Sequence, residues 1–587
     1  MSRPIVVAAL LLSVGVVATA QQQNVDDFFS NFSAEWVEEN PNQATATRYF
    51  TGEKQTRLER ELTPETDEWR FGRVRLAERG LRQLAGFDRA SLTDSQQLSA
   101  DLMQWQLQMI VDGEQFRDYA FPLEQFGGAN VNLINTLTVV HPVRTAQDAA
   151  NYVARLAQVD DRMNEAAAAA DRRARAGILP PRFILTATID QMRQFIAPAP
   201  AQNPLVTALV EKMGAVPALS TDRRKQLADE ASRVVEREVY PAWRKALALL
   251  ESQLPRATDD AGLWRLPRGR EAYAHWLKLF TTTSLTADEI HERGLREVAR
   301  IEGDMDAILR RLGYAEGSLI DRVEKLKQTM SYPITEDGRV RIMMDIDGII
   351  RDAERRADAL FDRRPKGPVI AQPYPRFREA NAAAGYTAPP LDGSRPAIFQ
   401  MPLRPNQMTK FALRTLVYHE TVPGHHFQVA LSVENPELPR FRQVRSLGGI
   451  SAIGEGWALY AERLAAESGW YENDLEGLLG QLDDELFRAR RLVVDTGLHA
   501  KHWTRQQAID YGIEPSEVER YVVNPGQACA YKIGQLKILE LRDKAQKALG
   551  SRFSIKEFHN VVLGAGAVPL TILEQQVDAY IRSTSRS

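Results

Sequence analysis

One nine-residue segment, Tyr418 to His426, holds three of the nine histidines in the sequence. His419 and Glu420 are adjacent, and two more histidines, His425 and His426, end the segment. A catalytic zinc site needs neutral imidazoles on the metal, an open coordination position, and a carboxylate that takes a proton from water. We therefore predict that His419 is a zinc ligand and that Glu420 is the general base.

The spacing alone leaves the second histidine ligand open. In the H-E-x-x-H arrangement it lies four residues after the first, one helical turn away, but Pro423 occupies that position here. A regular helix favours His426, nearly two turns on. Pro423 and Gly424 are expected to distort the helix, which weakens this argument. His425 and His426 therefore both stay candidates.

A separate segment, Gly454 to Glu462, predicts the third ligand. Its two glutamates, Glu455 and Glu462, are seven residues apart and so share one helix face. Glu455 is predicted to complete the metal site. Glu462 can hydrogen-bond a ligating imidazole and hold its orientation, or it can be an exposed helix carboxylate.

Further polar side chains downstream could contact a substrate: Arg490, Arg491, Asp495, His499 and Tyr531. Arginine and tyrosine side chains can bind a carboxylate or the oxyanion formed when water attacks a carbonyl. We predict that Arg491 and Asp495 bind substrate and that His499 takes part in catalysis. Asp495 and His499 are four residues apart, so they can equally form a helix-stabilising pair.

The elements that position these residues are predicted to be mainly helical. Helical periodicity dominates from Asp26 to about Arg363, and Thr286 with Glu289 forms a capping box at the start of one helix. A helical stretch from Gln407 to Val417 leads into the histidine segment, and helices continue to the end.

Between Pro365 and Pro405 two β-prone runs, 368–371 and 397–401, predict a small sheet, with a turn at Asp392-Gly393. Pro396 and Pro402 bracket the second run, which favours an edge strand that could align an extended peptide. The predicted fold is mainly α, a large helical body with a catalytic cleft and a small β-sheet beside the metal-site helix.

Composition predicts a globular protein, because 44% of the 587 residues are hydrophobic and 26% are charged. No Gly/Ser-rich or Pro-rich spacer divides the chain, so residues 21–587 are expected to form a single helical metallohydrolase domain. Without residues 1–20 the charge is 73 minus 77, or −4. That balance makes nucleic acid an unsuitable partner.

Residues 1–20 are predicted to be a cleaved signal peptide. Arg3 precedes a short apolar stretch that ends in Ala18-Thr19-Ala20, the A-x-A cleavage pattern. The stretch is shorter than the roughly 20 apolar residues of a membrane span, so the mature form should have no stable span. Cys529 is the only cysteine, so a lipid anchor is not expected. The predicted location is periplasmic or secreted.

Three motifs together resemble the bacterial family called domain of unknown function 885. They are His-Glu-x-x-Pro-Gly-His-His at 419–426, Glu-Gly-Trp-Ala-x-Tyr-x-Glu at 455–462, and Val-Asp-Thr-Gly-Leu-His at 494–499. That family is distantly similar to helical zinc peptidases of the thermostable carboxypeptidase and thimet oligopeptidase groups. In those enzymes a glycine precedes the second ligand, which implies His425 rather than His426. A C-terminal tyrosine stabilises their oxyanion, which implies this role for Tyr531.

The expected function is a zinc-dependent peptidase that hydrolyses short peptides with metal-activated water. A zinc hydrolase of a non-peptide amide or ester would use the same metal and base, and only the pocket contacts would differ. A non-catalytic metal-binding scaffold is the third possibility, although structural zinc does not need a base such as Glu420. The sequence does not predict the oligomeric state.

Overall fold

Helices form most of the described part of this protein, and a single small sheet lies late in that part. The structure is a computed structural model that describes residues 24–374, 376–379, 383–391, 393, 395–405 and 407–586. The predicted signal peptide at 1–20, and Asp392 of the predicted turn, lie outside the described residues.

Sixteen α-helices precede the sheet, not counting short 3₁₀ and π segments, within the part of the chain that the structure describes. They are α1 (Val25–Glu38), α2 (Pro41–Thr47), α3 (Gly52–Leu58), α4 (Asp67–Leu84), α5 (Asp94–Gly113), α6 (Ala129–Asn135), α7 (Ala146–Leu156), α8 (Val159–Arg175), α9 (Arg182–Phe195), α10 (Pro204–Gly214), α11 (Thr221–Val234), α12 (Tyr240–Gln253), α13 (Gly269–Thr281), α14 (Ala287–Arg311), α15 (Leu319–Thr329) and α16 (Glu336–Ala357). The capping box predicted at Thr286 and Glu289 is confirmed at the start of α14.

In the described residues the sheet has three strands, β1 (Val369–Pro373), β2 (Gly385–Thr387) and β3 (Ala397–Met401), with the short helix α17 (Arg376–Glu379) between the first two. Their spatial order is β1-β3-β2, with β3 parallel to β1 and antiparallel to β2. The prediction that 397–401 is an edge strand is therefore wrong. Pro396 and Pro402 flank β3 without entering it, so every amide within the strand can still join the ladder.

Ten α-helices follow among residues 407–586: α18 (Leu413–Glu420), α19 (His425–Val433), α20 (Arg440–Gln443), α21 (Ser451–Glu467), α22 (Leu475–Ala500), α23 (Arg505–Asp510), α24 (Pro515–Val523), α25 (Cys529–Leu549), α26 (Ile555–Ala565) and α27 (Leu570–Arg586). The helical stretch expected from Gln407 starts later, at Leu413. The mainly α fold with a small β-sheet is confirmed.

The helix α21 lies in the core and packs closely against α25. A Cβ atom on Gly456 would be only 2.5 Å from the Cα of Gly534, so both positions need glycine for the helices to approach. The Trp457 and Tyr460 side chains of α21 are fully buried in the largest hydrophobic cluster. A second cluster, between residues 62 and 257, occupies the helices of the N-terminal half. The prediction of a single domain stays a prediction.

None of the described helices combines the length and the apolar character that crossing a membrane requires.

Candidate metal centre

Three side chains from three helices converge on one point: His419, His425 and Glu455. Each offers a donor atom, and these atoms lie within 4.8 Å of one another. Glu455 Oε2 is 3.6 Å from His419 Nε2 and 3.5 Å from His425 Nε2. The side chain of His419 is 5% exposed, whereas His425 and Glu455 are 17% and 25% exposed. The group is therefore anchored in the core and reachable from solvent on one side.

A break in the helix brings His425 back over His419. The helix α18 ends at Glu420, and α19 starts at His425. The Gly424 amide donates to the Tyr418 carbonyl at 3.0 Å, and a Cβ atom at Gly424 would meet the His419 carbonyl at 2.0 Å. Only glycine fits there. The two imidazole rings consequently lie 4.8 Å apart and nearly perpendicular.

His426, the other candidate ligand, is engaged elsewhere. Its Nδ1 lies 3.2 Å from the Tyr386 hydroxyl, and its Nε2 lies 3.1 Å from the Gly367 carbonyl oxygen. Burial lowers the pKa of His426 to about 4, so its ring stays neutral. With both ring nitrogens hydrogen-bonded to the small sheet region, His426 is not part of the converging group.

Glu462 contacts the ring nitrogen of His419 that does not face Glu455. Its Oε1 lies 2.7 Å from His419 Nδ1, two turns along α21 from Glu455. The side chain is fully buried, and burial raises the pKa of Glu462 to about 8. An Nδ1–H donated to Glu462 leaves the Nε2 lone pair directed towards Glu455. Glu462 is therefore not the exposed carboxylate that the sequence left as an alternative.

The electrostatics of the centre favour a cation. Burial opposes the charged form of Glu455, but its two histidine neighbours outweigh burial and hold the pKa of Glu455 well below its usual value. Burial likewise opposes protonation of His419, yet hydrogen bonds to Glu455 and Glu462 raise the pKa of His419 well above its usual value. A metal ion can take the place of this proton between the same donors.

Glu420 follows His419 at the end of α18 and is 8% exposed. Its negative charge acts on His419 and raises the pKa of that imidazole. Among the described residues, no hydrogen bond occupies the Glu420 carboxylate. Its oxygens are therefore free to accept a hydrogen bond from a water or a substrate.

Two glutamine side chains set the register between α21 and the start of α25. Gln527 Nε2 donates to Ser451 Oγ at 3.4 Å, and Gln535 Nε2 donates to the Leu459 carbonyl at 3.1 Å. The partners are 76 residues apart in both pairs. The two segments therefore run parallel, with a constant offset along one face.

The same offset relates Tyr531 to Glu455, since 531 minus 455 is 76. Tyr531 lies midway between the two glutamines, and Glu455 lies midway between their partners. Helix residues four apart share a face, so Tyr531 lies at the level of the metal centre. Its side chain is partly exposed. The structure thus places Tyr531 level with Glu455 along the two packed helices.

Asp495 and His499 are not at this centre. Asp495 accepts hydrogen bonds from the Tyr273 hydroxyl at 2.6 Å and the Gly526 amide at 3.0 Å, and burial raises its pKa to about 7. His499 Nδ1 accepts from the Leu263 amide, and its Nε2 lies 3.0 Å from the Tyr521 carbonyl. Both side chains are fully buried. They connect α22 to neighbouring segments rather than to each other, and they do not support the predicted roles in substrate binding and catalysis.

Two arginines near the centre, Arg488 and Arg445, were not among the predicted site residues. Arg488 pairs with Asp484, and its charge acts on both Glu462 and Tyr531. It lies one turn before Arg491 on the inner face of α22, a periodicity that could have identified it. Arg445 donates to Gln428 at 2.7 Å and acts on Glu455, from a backbone with φ of 53°. Nothing in the sequence signals that conformation.

The fold and this site define a mainly α protein with two histidines and a glutamate arranged around a shared point. A family model described as bacterial proteins of unknown function, DUF885, matches residues 41–577. The chain therefore belongs to this family, and the family predicted from the three motifs is confirmed.

Two solved structures are similar to this chain over nearly its whole length. A "putative lipoprotein" from Colwellia psychrerythraea is 32% identical, with a TM-score of 0.88 over 95% of this chain and 100% of that one. A "putative lipoprotein of unknown function" from Shewanella oneidensis is 18% identical, with a TM-score of 0.70 over 94% and 99% of the two chains. The second likeness concerns the fold alone. No curated protein matches this chain.

Proposed function

We propose that this protein is an exported zinc-dependent hydrolase that cleaves short peptides. The convergence of His419, His425 and Glu455, beside the unoccupied carboxylate of Glu420, carries the proposal. Two imidazoles and one carboxylate are a donor set of catalytic zinc sites, in which a fourth position stays open for water or substrate. The partial exposure of His425 and Glu455 supports a cleft above that open position.

The distances at the centre are consistent with zinc. Two ligand atoms about 2.1 Å from a tetrahedral ion lie about 3.4 Å apart. The separations of Glu455 Oε2 from the two histidine Nε2 atoms, 3.6 and 3.5 Å, are close to this value. All donor atoms lie within 4.8 Å of one another. Small rotations of the two imidazole rings would therefore bring the remaining pair of donors to a similar separation.

When bound, zinc would supply Lewis acidity towards water and the scissile carbonyl. Glu420 accepts a proton from the attacking water and delivers it to the leaving amine. Glu462 holds His419 in the tautomer that presents Nε2. The Tyr531 hydroxyl donates a hydrogen bond to the carbonyl oxygen as negative charge develops there.

A peptide substrate is supported by the sheet beside the centre. β2 is an edge strand, and its Tyr386 contacts His426, the residue that follows His425. An extended peptide can pair with the free side of such a strand. This role therefore moves from β3, where the sequence placed it, to β2. Export is supported by the leader pattern in residues 1–20 and by the lipoprotein description that both solved structures carry.

The test compares the wild-type protein with Glu420→Gln, both loaded with zinc, in a digest of a degenerate peptide library read by mass spectrometry. The wild type should cleave, whereas Glu420→Gln should bind equal zinc and lose turnover because it lacks a base. Glu437→Gln, at an exposed position, is the matched control. Retained cleavage by Glu420→Gln would refute the mechanism. Cleavage of esters or non-peptide amides without any peptide product would identify the alternative substrate class.

A further inference from the structure

The guanidinium of Arg491 is held in a fixed orientation by its neighbours. It lies between two aromatic rings, with Cζ 4.3 Å from the Phe487 centroid and 4.6 Å from the Tyr531 centroid. Its Nε donates to the Tyr521 hydroxyl at 3.1 Å, and its Nη2 donates to Glu517 Oε2 at 3.0 Å. Stacking and two hydrogen bonds therefore fix the plane of this group before any ligand binds.

One nitrogen of the same guanidinium makes no hydrogen bond to the described residues. Arg491 is 6% exposed, and its buried Nη1 has no hydrogen-bond partner among the described residues. Buried polar groups in folded proteins nearly always have partners, because an unpaired donor loses its interactions with water. An unsatisfied Nη1 on an immobilised guanidinium is the state expected of a binding group whose acceptor arrives with a ligand.

The surrounding charge is positive. Arg520 also binds Glu517, through Nε at 3.1 Å and Nη2 at 2.9 Å, so two guanidinium groups share a single carboxylate. The nearby Arg488 is balanced separately by Asp484. The Arg491, Arg520 and Glu517 group, called here the arginine corner, therefore carries one net positive charge in a largely buried setting. An anion there would be attracted more strongly than in water.

The position of the arginine corner connects it to the metal centre. Tyr531 links the two regions: its ring contacts the Arg491 guanidinium, and its position on α25 is level with Glu455 on α21. A substrate group bound at Arg491 would therefore lie one side chain away from the scissile carbonyl.

We propose that the arginine corner binds a carboxylate of the substrate, with Arg491 Nη1 as its main donor. This inference rests on the proposed peptidase function and specifies its substrate. The carboxylate has two possible sources, the free C terminus of a short peptide and an acidic side chain near the scissile bond. A C-terminal carboxylate bound one side chain away from the scissile carbonyl would make the protein an exopeptidase that shortens peptides from their C-terminal end.

The test measures binding by the metal-free protein, so that hydrolysis does not enter. A degenerate library of N-acetylated pentapeptides is prepared with a free C-terminal carboxylate and, separately, with a C-terminal amide. Each is equilibrated with the wild type, Arg491→Met and Arg490→Met, and the bound peptides are identified by mass spectrometry. Arg490 is the matched control, because it precedes Arg491 on α22 and pairs instead with Glu302.

The wild type and Arg490→Met should prefer the free-carboxylate library by about ten- to a hundredfold, the effect of one charge-assisted hydrogen bond. Arg491→Met should lose this preference while binding amidated peptides as the wild type does. If an acidic side chain is the source, Asp or Glu will be enriched at one position of the amidated library, again only with Arg491 present.

Two outcomes would overturn the proposal. In the first, the wild type binds both libraries equally or binds neither, and no acidic residue is enriched. In the second, Arg491→Met keeps the preference for the free carboxylate. The wild-type comparison decides even if the variant fails to fold, which its thermal unfolding would reveal. The zinc-loaded library digest tests hydrolysis independently, so a failed carboxylate subsite and a failed peptidase function give different results.

Discussion

Replacing Glu462 with glutamine tests whether this carboxylate supports the metal centre. The substitution keeps the side-chain volume and an oxygen that can accept from His419 Nδ1, but it removes the ability to ionise, which a cation bound at His419 favours. Glu462 is fully buried, and its Oε2 has no hydrogen-bond partner among the described residues. Its one short contact, 2.7 Å to His419 Nδ1, is therefore the interaction that the substitution changes.

The expected magnitude follows from that contact. A hydrogen bond to a charged group contributes about 1.5–3 kcal/mol, and about 1.4 kcal/mol corresponds to a tenfold change in a binding constant. If most of this energy stabilises His419 as a ligand, Glu462→Gln should weaken zinc binding by about ten- to a hundredfold. Losses of this size are typical when a carboxylate behind a ligating histidine is removed.

The assay is equilibrium competition for zinc against a fluorescent chelator, with thermal unfolding of the metal-free proteins measured in parallel. The metal-free Glu462→Gln variant should unfold at the wild-type temperature or above it, because the substitution removes a buried ionisable group. Glu467→Gln is the control, since Glu467 ends the same helix and pairs on the outside with Arg463 and Arg542. Zinc affinity within threefold of the wild type would refute the role of Glu462.

Three other variants separate the site from its surroundings. His425→Ala should lose zinc in metal analysis while His426→Ala keeps it, because both ring nitrogens of His426 are already bonded; the reverse result would reassign the ligand. Tyr531→Phe should keep zinc and fold but lower kcat by about 10²–10³ in steady-state kinetics, and a drop explained by lost thermal stability would return Tyr531 to a packing role. Burial raises the pKa of Asp495 from 3.8 to about 7, so folding favours the protonated carboxyl. The free energy of unfolding therefore keeps its full value below about pH 4 and falls as the pH rises through 7. Denaturant unfolding should therefore show Asp495→Asn more stable than the wild type at pH 8 by up to about 4 kcal/mol and similar to it at pH 4, and parallel pH profiles would contradict this.

Much of the candidate site could be predicted because metal ligands come from few residue types at restricted spacings. His419, Glu420 and Glu455 were identified from adjacency and chemistry alone. Helical periodicity then placed Glu462 on the same face as Glu455, and the structure puts both beside His419. These inferences needed only local geometry, which the sequence encodes directly.

Local sequence patterns were least informative where contacts with distant segments decide the outcome. The prolines beside β3 suggested an edge strand, but the strand order depends on how β1 and β2 pair with β3, and no local pattern reports that pairing. Asp495 and His499 have residue types suited to catalysis, yet their partners are Tyr273, Gly526, Leu263 and Tyr521 from other elements. A buried polar residue with structural partners has the same sequence signature as one with catalytic partners.

The proline in the histidine motif shows how a departure from a familiar spacing can still produce a familiar donor set. Pro423 cannot continue α18, so the helix ends and leaves carbonyl groups without intrahelical partners. Two hydrogen bonds stabilise the chain at this break. The Gly424 amide donates to the Tyr418 carbonyl, and Trp457 Nε1 donates to the Pro423 carbonyl at 2.9 Å. Trp457 is two residues from Glu455 on α21. The helix that provides the carboxylate ligand therefore also fixes the segment that presents His425, so the relative positions of the ligands depend on α21 rather than on the continuity of one helix.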